Sequence, residues 1–146
     1  MLVKHVLEKK KRPNVTIRPE ASVRDAMELL MSNKIRCLLV VNDEQKLEGI
    51  LSITDVFKTS YHDPSDFQNK TVGDVMTSDV IVGLMEDEVS YIAGVMTKNR
   101  IRHIPVMDEK KLAGIVSSGD ILKAQAEHHK VENRYLRMYI EGTHSG

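Results

Sequence analysis

The sequence carries one short pattern twice, as Gly49-Ile50-Leu51-Ser52-Ile53-Thr54-Asp55 and as Gly114-Ile115-Val116-Ser117-Ser118-Gly119-Asp120. The chain around both copies aligns in one register once a single residue is dropped among the polar residues that follow Val41. The matched pairs include Val23 with Val89, Asn33 with Asn99, Ile35 with Ile101, Arg36 with Arg102, Val40 with Val106 and Lys58 with Lys123. Because apolar positions and their polar exceptions recur together, the 146-residue chain contains an internal repeat.

Each copy predicts the same elements of secondary structure. A short β-rich run precedes an amphipathic helix, and two apolar runs joined by a polar turn then predict a hairpin before a last helix. The first strands are predicted at residues 15–17 and 80–82, the hairpins at 37–41 with 48–53 and 103–107 with 113–116, and the last helices from about Thr54 and Gly119. Neither half could bury much core alone. We therefore predict an α/β fold of two β-α-β-β-α repeats packed around a pseudo-twofold axis.

The repeats divide the chain into four parts. Residues 1–60 form the first repeat with an N-terminal helix, 61–70 a polar linker, 71–126 the second repeat, and 127–146 a C-terminal helix and tail. In the last part, apolar residues recur on one helical face at Val131, Tyr135, Met138 and Tyr139. This stripe is expected to pack against a neighbouring subunit or against the flank of the module itself.

Composition narrows the classes of function. Lys and Arg number 21, as do Asp and Glu, so a large basic surface for nucleic acid is not indicated. No apolar run approaches the roughly 20 residues of a membrane span. A single cysteine, Cys37, allows no intramolecular disulfide and fits a reducing, cytoplasmic setting. His128 and His129 are adjacent, point in different directions on a helix and do not predict a metal site.

The two heptapeptides resemble the signature of the CBS-domain family, named after cystathionine β-synthase. Arg102-His103-Ile104-Pro105-Val106 is similar to the family's preceding strand, and Asp74-Val75-Met76-Thr77 to its usual lead-in to a second repeat. The resemblance implies clefts between the repeats that bind adenosine-containing ligands, namely AMP, ADP, ATP, NAD(H) or S-adenosylmethionine. It also implies a homodimer of modules and a regulatory, non-catalytic role that requires no cofactor.

The Ser-x-x-Asp pairs allow two interpretations. Serine at the N-cap and an acid three residues later form a capping box, in which each side chain bonds the other's backbone N–H. The same carboxylate could instead accept both hydroxyls of a ribose, while the helix N-terminus suits a phosphate or ribose oxygen. The two interpretations can coexist, and both remain open for Ser52 with Asp55 and for Ser117 with Asp120.

The second copy predicts the better cleft. Arginine and histidine at 102 and 103 match family positions that reach phosphate, whereas the first repeat has Cys37 and Leu39 in place of His103 and Pro105. Adenine is expected near Val15, Ile104 and Ile115. The basic run at residues 8–12 is expected to be a solvated turn after a short helix. The predicted ligand-binding residues are Val15, Thr16, Arg36, Ser52, Asp55, Thr77, Val80, Arg102, His103, Ile104, Pro105, Ile115, Ser117 and Asp120.

Two functions of different classes follow from these observations. The first is a regulatory module that binds an adenine nucleotide between the repeats. The second is a structural dimerisation module in which the Ser-x-x-Asp pairs serve only as helix caps. Catalysis is not predicted, because no pairing of nucleophile and base, no pair of catalytic acids and no metal cluster stands out in the sequence.

Overall fold

A computed structural model describes residues 1–129, with the side chains of residues 1–127. The predicted apolar stripe at residues 131–139 therefore lies outside the described residues. The first half contains helix α1 (Val3–Lys9), strand β1 (Thr16–Ile17), helix α2 (Val23–Asn33), strands β2 (Cys37–Val41) and β3 (Leu47–Ser52), helix α3 (Ile53–His62) and a 3-10 turn (Phe67–Asn69). The second half contains α4 (Val72–Val75), β4 (Gly83–Leu84), α5 (Val89–Asn99), β5 (His103–Asp108), β6 (Lys111–Ser117) and α6 (Ser118–His129).

The strands form two three-stranded sheets of identical topology. In each sheet the first strand pairs in parallel with the second, which pairs antiparallel with the third. Cys37 lies opposite Ser52 just as His103 lies opposite Ser117. The register also shifts at matching places, after Val40 and after Val106. The predicted α/β fold of two repeats is confirmed at the level of strand pairing.

Local signals explain where the long helices begin and end. The Ser22 hydroxyl accepts a hydrogen bond from the backbone N–H of Asp25, so a serine cap starts α2. Helices α2 and α5 both end at a left-handed residue, Lys34 and Arg100, each with φ of 54°. The two caps occupy equivalent positions, which extends the repeat to the backbone conformation.

Each repeat has its own apolar core. The first contains Ile17, Ala26, Leu30, Leu38, Val40, Leu51 and Val72, and the second contains Val3, Val6, Val89, Ile92, Met96, Ile104, Val106, Val116, Ile121 and Ala124. All five residues of the middle strand β2 are buried, because α/β packing covers both of its faces.

The lead-in helices, α1 before the first repeat and α4 before the second, each pack against the other repeat. Helix α1 packs against the second repeat, where the Val89 N–H bonds the carbonyl of Met1 at 2.9 Å. Helix α4, which precedes the second repeat, packs against the first, where the Val23 N–H bonds the Lys70 carbonyl at 2.8 Å. The sequence grouped the N-terminal helix with the first repeat, whereas its buried side chains belong to the core of the second. This exchange ties the halves together and brings the segment after α1 to the second repeat.

The first strand of the second repeat lies later than predicted. The β-branched run at residues 80–82 suggested a strand, but β4 is formed by Gly83 and Leu84, and Gly83 pairs with Val106 as Ile17 pairs with Val40. Gly83 fits because a Cβ there would lie 2.9 Å from Cδ1 of Ile92. Ile81 and Val82 remain 39% and 44% exposed. None of the helices within residues 1–129 is long and apolar enough to cross a membrane.

Candidate nucleotide cleft

Four segments of the chain converge on a cleft of about 1010 Å³ between the repeats. They are the connection from α1 to β1, the connection from α2 to β2, the start of β5 and the junction of β6 with α6. Seven of the predicted ligand-binding residues line this cleft: Val15, Arg36, Arg102, His103, Ile115, Ser117 and Asp120. Both repeats therefore contribute residues that the sequence had selected.

The other seven predicted residues lie elsewhere in the described chain. Ile104 is fully buried in the second core, so its predicted side-chain contact with adenine is corrected: β5 turns that side chain inward. Pro105 is buried as well, and Thr16 lines a separate groove beside α2. Val80 is half-buried in the connection before β4. The remaining three residues are Ser52, Asp55 and Thr77, of which Asp55 bonds both of the others.

Ser117 and Asp120 form a capping box at the start of α6. The Asp120 N–H donates to the Ser117 hydroxyl at 3.1 Å, and the Ser117 N–H donates to Oδ2 of Asp120 at 2.9 Å. The same carboxylate lies on the wall of the cleft with its side chain 26% exposed. The structural and functional interpretations of this pair are thus geometrically compatible.

Lys10 is the main residue of the cleft that the sequence did not identify. Its Nζ donates to Oδ2 of Asp120 at 2.8 Å and to the carbonyl of Ile115 at 2.9 Å. The expectation of a solvated turn at residues 8–12 is wrong for Lys10, whose side chain is 25% exposed. Burial raises the pKa of Asp120, but the hydrogen bonds from Lys10 and the Ser117 backbone outweigh it and lower that pKa overall.

A signal for Lys10 was present in the repeat. At the spacing that relates Val23 to Val89, Lys11 corresponds to Thr77. Thr77 contacts Asp55 in the first repeat, with its hydroxyl 3.2 and 3.3 Å from the two carboxylate oxygens. Asp55 also accepts from the Ser52 N–H at 3.0 Å, so the first capping box is complete. The extended alignment places the basic run beside Asp120 only once the contact of Thr77 with Asp55 is known, and that contact is a feature of the tertiary structure.

Two neighbouring side chains have shifted pKa values. Burial, followed by the charge of Lys10, lowers the pKa of His103, and the opposing charge of Asp120 only partly offsets this. The neutral imidazole is therefore favoured, and it can donate or accept a hydrogen bond in the cleft. Burial raises the pKa of the Cys37 thiol to about 12, with a further contribution from Asp55. Cys37 is thus a buried strand residue and not a reactive thiolate.

A metal centre finds no support in the described part of the chain. Within it, no group of three His, Cys, Asp or Glu side chains is arranged to hold a metal ion. The cleft instead combines two carboxylates, Asp120 and Glu127, with backbone groups of a helix N-terminus and several basic side chains. This set of donors and acceptors can hold hydroxyl groups at one end and an anion at the other.

Comparison with known proteins agrees with this fold of two repeats. The sequence is 34% identical over 125 residues to the mitochondrial CBS domain-containing protein CBSX3 of Arabidopsis thaliana, covering 83% of this chain and 61% of that protein. The structure matches the CBS-domain protein ATU1752 of Agrobacterium tumefaciens with a TM-score of 0.82 and 30% identity, covering 86% and 99% of the two chains. It also matches CBSX2, solved in complex with AMP, with a TM-score of 0.76 and 28% identity, covering 88% and 98%.

The family model of the CBS domain matches residues 3–62 and again residues 72–127. The two matches coincide with the two repeats that strand pairing defines. The chain spans less than two thirds of the length of CBSX3. The chain belongs to the CBS-domain family and contains a pair of CBS domains.

Proposed function

We propose that this chain is a non-catalytic regulatory module that binds an adenine nucleotide in the cleft between its CBS domains. The observation that carries the proposal is the position of Asp120, which caps α6 and also faces a cleft lined by basic side chains from both repeats. The complex of CBSX2 with AMP supports an adenine nucleotide as the ligand class. Asp120 and Ser117 would hold the ribose, and Arg36, Arg102 and His103 would face the phosphate.

Thermal unfolding with and without nucleotide tests this proposal. A ligand that binds only the folded state at 100 times its Kd stabilises that state by about 2.7 kcal/mol. We expect AMP, ADP, ATP or NADH to raise the Tm of the wild-type protein, and Asp120→Ala to abolish the increase. If no adenine nucleotide raises the Tm at millimolar concentration, the proposal fails.

The first repeat offers a matched control. Asp55→Ala removes the equivalent acid of the equivalent capping box, but Asp55 does not line the described cleft. Both variants should lose stability in the absence of ligand, by about 0.5–2 kcal/mol for a lost cap. Only Asp120→Ala should lose the response to nucleotide. An equal response in both variants would favour the interpretation of these residues as caps alone.

A structural dimerisation module remains the second candidate, and one observation favours it. On α3, Ile53, Phe57 and Tyr61 recur every four residues and are 48%, 68% and 77% exposed. A second copy of the chain is the proposed occupant of this face, and sedimentation analysis tests it. Phe57→Glu should produce a monomer, whereas Lys58→Glu on the same helix should not. Dimerisation that Phe57→Glu leaves unchanged would remove the support of α3 for this candidate.

A further inference from the structure

The charge of the cleft differs sharply from that of the chain. The whole sequence has equal numbers of basic and acidic residues. The cleft, in contrast, is lined by eight Lys or Arg side chains and only two carboxylates, Asp120 and Glu127. The eight basic residues are those at positions 9–12 together with Lys34, Arg36, Arg102 and Lys123. We call this set the cationic rim.

Little of this charge is neutralised within the protein. Lys10 is paired with Asp120 at 2.8 Å, and Lys9 lies 4.0 Å from Glu127. The other six basic side chains of the rim have no carboxylate within 4.0 Å among the residues described. Both carboxylates of the cleft are thus already engaged by lysines. Among the described residues, six further positive charges of the rim are unpaired.

A cluster of like charges around a cleft attracts an anion and focuses its field there. Arginine suits phosphate because its planar fork can donate two hydrogen bonds, and lysine contributes a mobile point charge. One phosphate monoester carries a charge of about −1.5 to −2 at neutral pH, so AMP would offset only a fraction of the rim. Adenosine would offset none of it, and the cationic sulfonium of S-adenosylmethionine would add to it.

We infer that the cleft selects its ligand by phosphate charge and prefers a nucleotide with two or more phosphates, such as ADP or ATP, over AMP, adenosine and S-adenosylmethionine. The inference rests on the proposed function, because it takes this cleft as the nucleotide site. Lys10 contributes to this selection because its ammonium group changes partner when the nucleotide binds. A ribose that bonds Asp120 displaces the Lys10 ammonium from the carboxylate and makes it available to the phosphates.

Isothermal titration calorimetry of the purified protein tests the inference. Adenosine, S-adenosylmethionine, AMP, ADP and ATP are titrated in a buffer with EDTA, so that no divalent cation masks the phosphates. We expect the Kd to fall about tenfold or more from AMP to ATP. Raising the salt concentration should weaken ATP binding more than AMP binding, because salt screens the interactions of exposed charges.

A matched pair of charge variants separates the rim from net charge. The double variant Lys11→Ala with Arg12→Ala removes two exposed charges of the rim. Lys110→Ala with Lys111→Ala removes two exposed charges outside the cleft, one from the turn after β5 and one from the first residue of β6. The first pair should weaken ATP binding severalfold more than AMP binding, and the second pair should change neither.

The outcomes distinguish this inference from the proposed function. Binding of AMP or S-adenosylmethionine as tightly as ATP would overturn the selection by charge and leave the nucleotide site standing. An equal loss of AMP and ATP binding in Lys11→Ala with Arg12→Ala would also overturn it. If none of the five ligands binds, the proposed function fails and the inference fails with it.

Discussion

The ion pair between Lys10 and Asp120 permits a quantitative prediction by a double-mutant cycle. Its atoms are 2.8 Å apart, and its side chains are 25% and 26% exposed. At an effective dielectric constant of 20, two unit charges 4 Å apart attract by about 4 kcal/mol. Desolvation offsets much of that attraction, and fully exposed pairs contribute only about 0.2–1 kcal/mol. We therefore expect a coupling free energy of about 1–2 kcal/mol for this half-buried pair.

Urea unfolding followed by circular dichroism measures this coupling at neutral pH and low salt. The cycle uses Lys10→Met, which keeps the apolar stem, Asp120→Asn, which keeps the shape of the cap, and the double variant. Lys10→Met removes the hydrogen bond of Lys10 to the Ile115 carbonyl both in the presence of Asp120 and in the Asp120→Asn background. That loss therefore cancels from the coupling free energy. Lys4 and Glu86, 3.4 Å apart and 35% and 72% exposed, provide the control cycle. A coupling no larger than that of the control pair would refute the reasoning.

The ion pair between Lys10 and Asp120 also predicts how the free energy of unfolding depends on pH. Asp120 has a lower pKa in the folded state than in the unfolded state. The stability that it confers is therefore fully present above the unfolded value of about 3.9 and is lost as the pH falls through the folded value. In Asp120→Asn, the free energy of unfolding should depend less on pH in this acidic range. An unchanged curve would show that other carboxylates govern it.

Three further predictions concern a close backbone contact, a histidine and the thiol. Gly49→Ala should destabilise the fold by about 1–3 kcal/mol in urea unfolding, because its Cβ would lie 2.6 Å from the Thr77 carbonyl oxygen. Gly114→Ala should cost less, since the nearest atom, 3.1 Å away, belongs to the movable side chain of Leu7. In an NMR titration, His103 should have a pKa below 6.5, and this pKa should rise in Lys10→Met. The contribution of His103 to stability is present above about pH 6.5 and is lost as the pH falls through the folded pKa. Cys37, with a pKa of about 12, should react with a thiol reagent at pH 8 only after unfolding, and rapid labelling of the native protein would contradict its burial.

Predictions from local sequence succeeded where the deciding contacts are local. Ser52 caps α3 and Ser117 caps α6 because each bonding partner lies only three residues away. The hairpins were predicted because their apolar runs and polar turns lie within about 15 residues of chain. The strand predicted at residues 80–82 was misplaced because β4 is defined by pairing with β5, some 20 residues further on, and its first residue is a glycine with low strand propensity.

In the candidate site, too, local sequence predicted some residues correctly, whereas tertiary packing decided others. Asp120 could be predicted because the repeat presents it in the same heptapeptide as Asp55. Its partner Lys10 could not be predicted from local sequence, since the two residues are 110 positions apart and meet only because α1 packs on the second repeat. Ile104 was placed in the cleft by its neighbours Arg102 and His103, whereas its side chain faces the core. Alternation along a strand sends successive side chains to opposite faces, and only the packing decides which face is the cleft.

The two heptapeptides and the apolar pattern around them thus determined the repeat, the order of elements along the chain and the two capped helices. These features depend on apolar periodicity and on hydrogen bonds between residues close together in the sequence. Tertiary structure alone decided which repeat each lead-in helix completes. That exchange brings residues 9–12 to Asp120 and gives a chain with equal numbers of acidic and basic residues one strongly cationic cleft. The composition averages charge over the whole surface, whereas the field at a site depends on which charges the fold brings together.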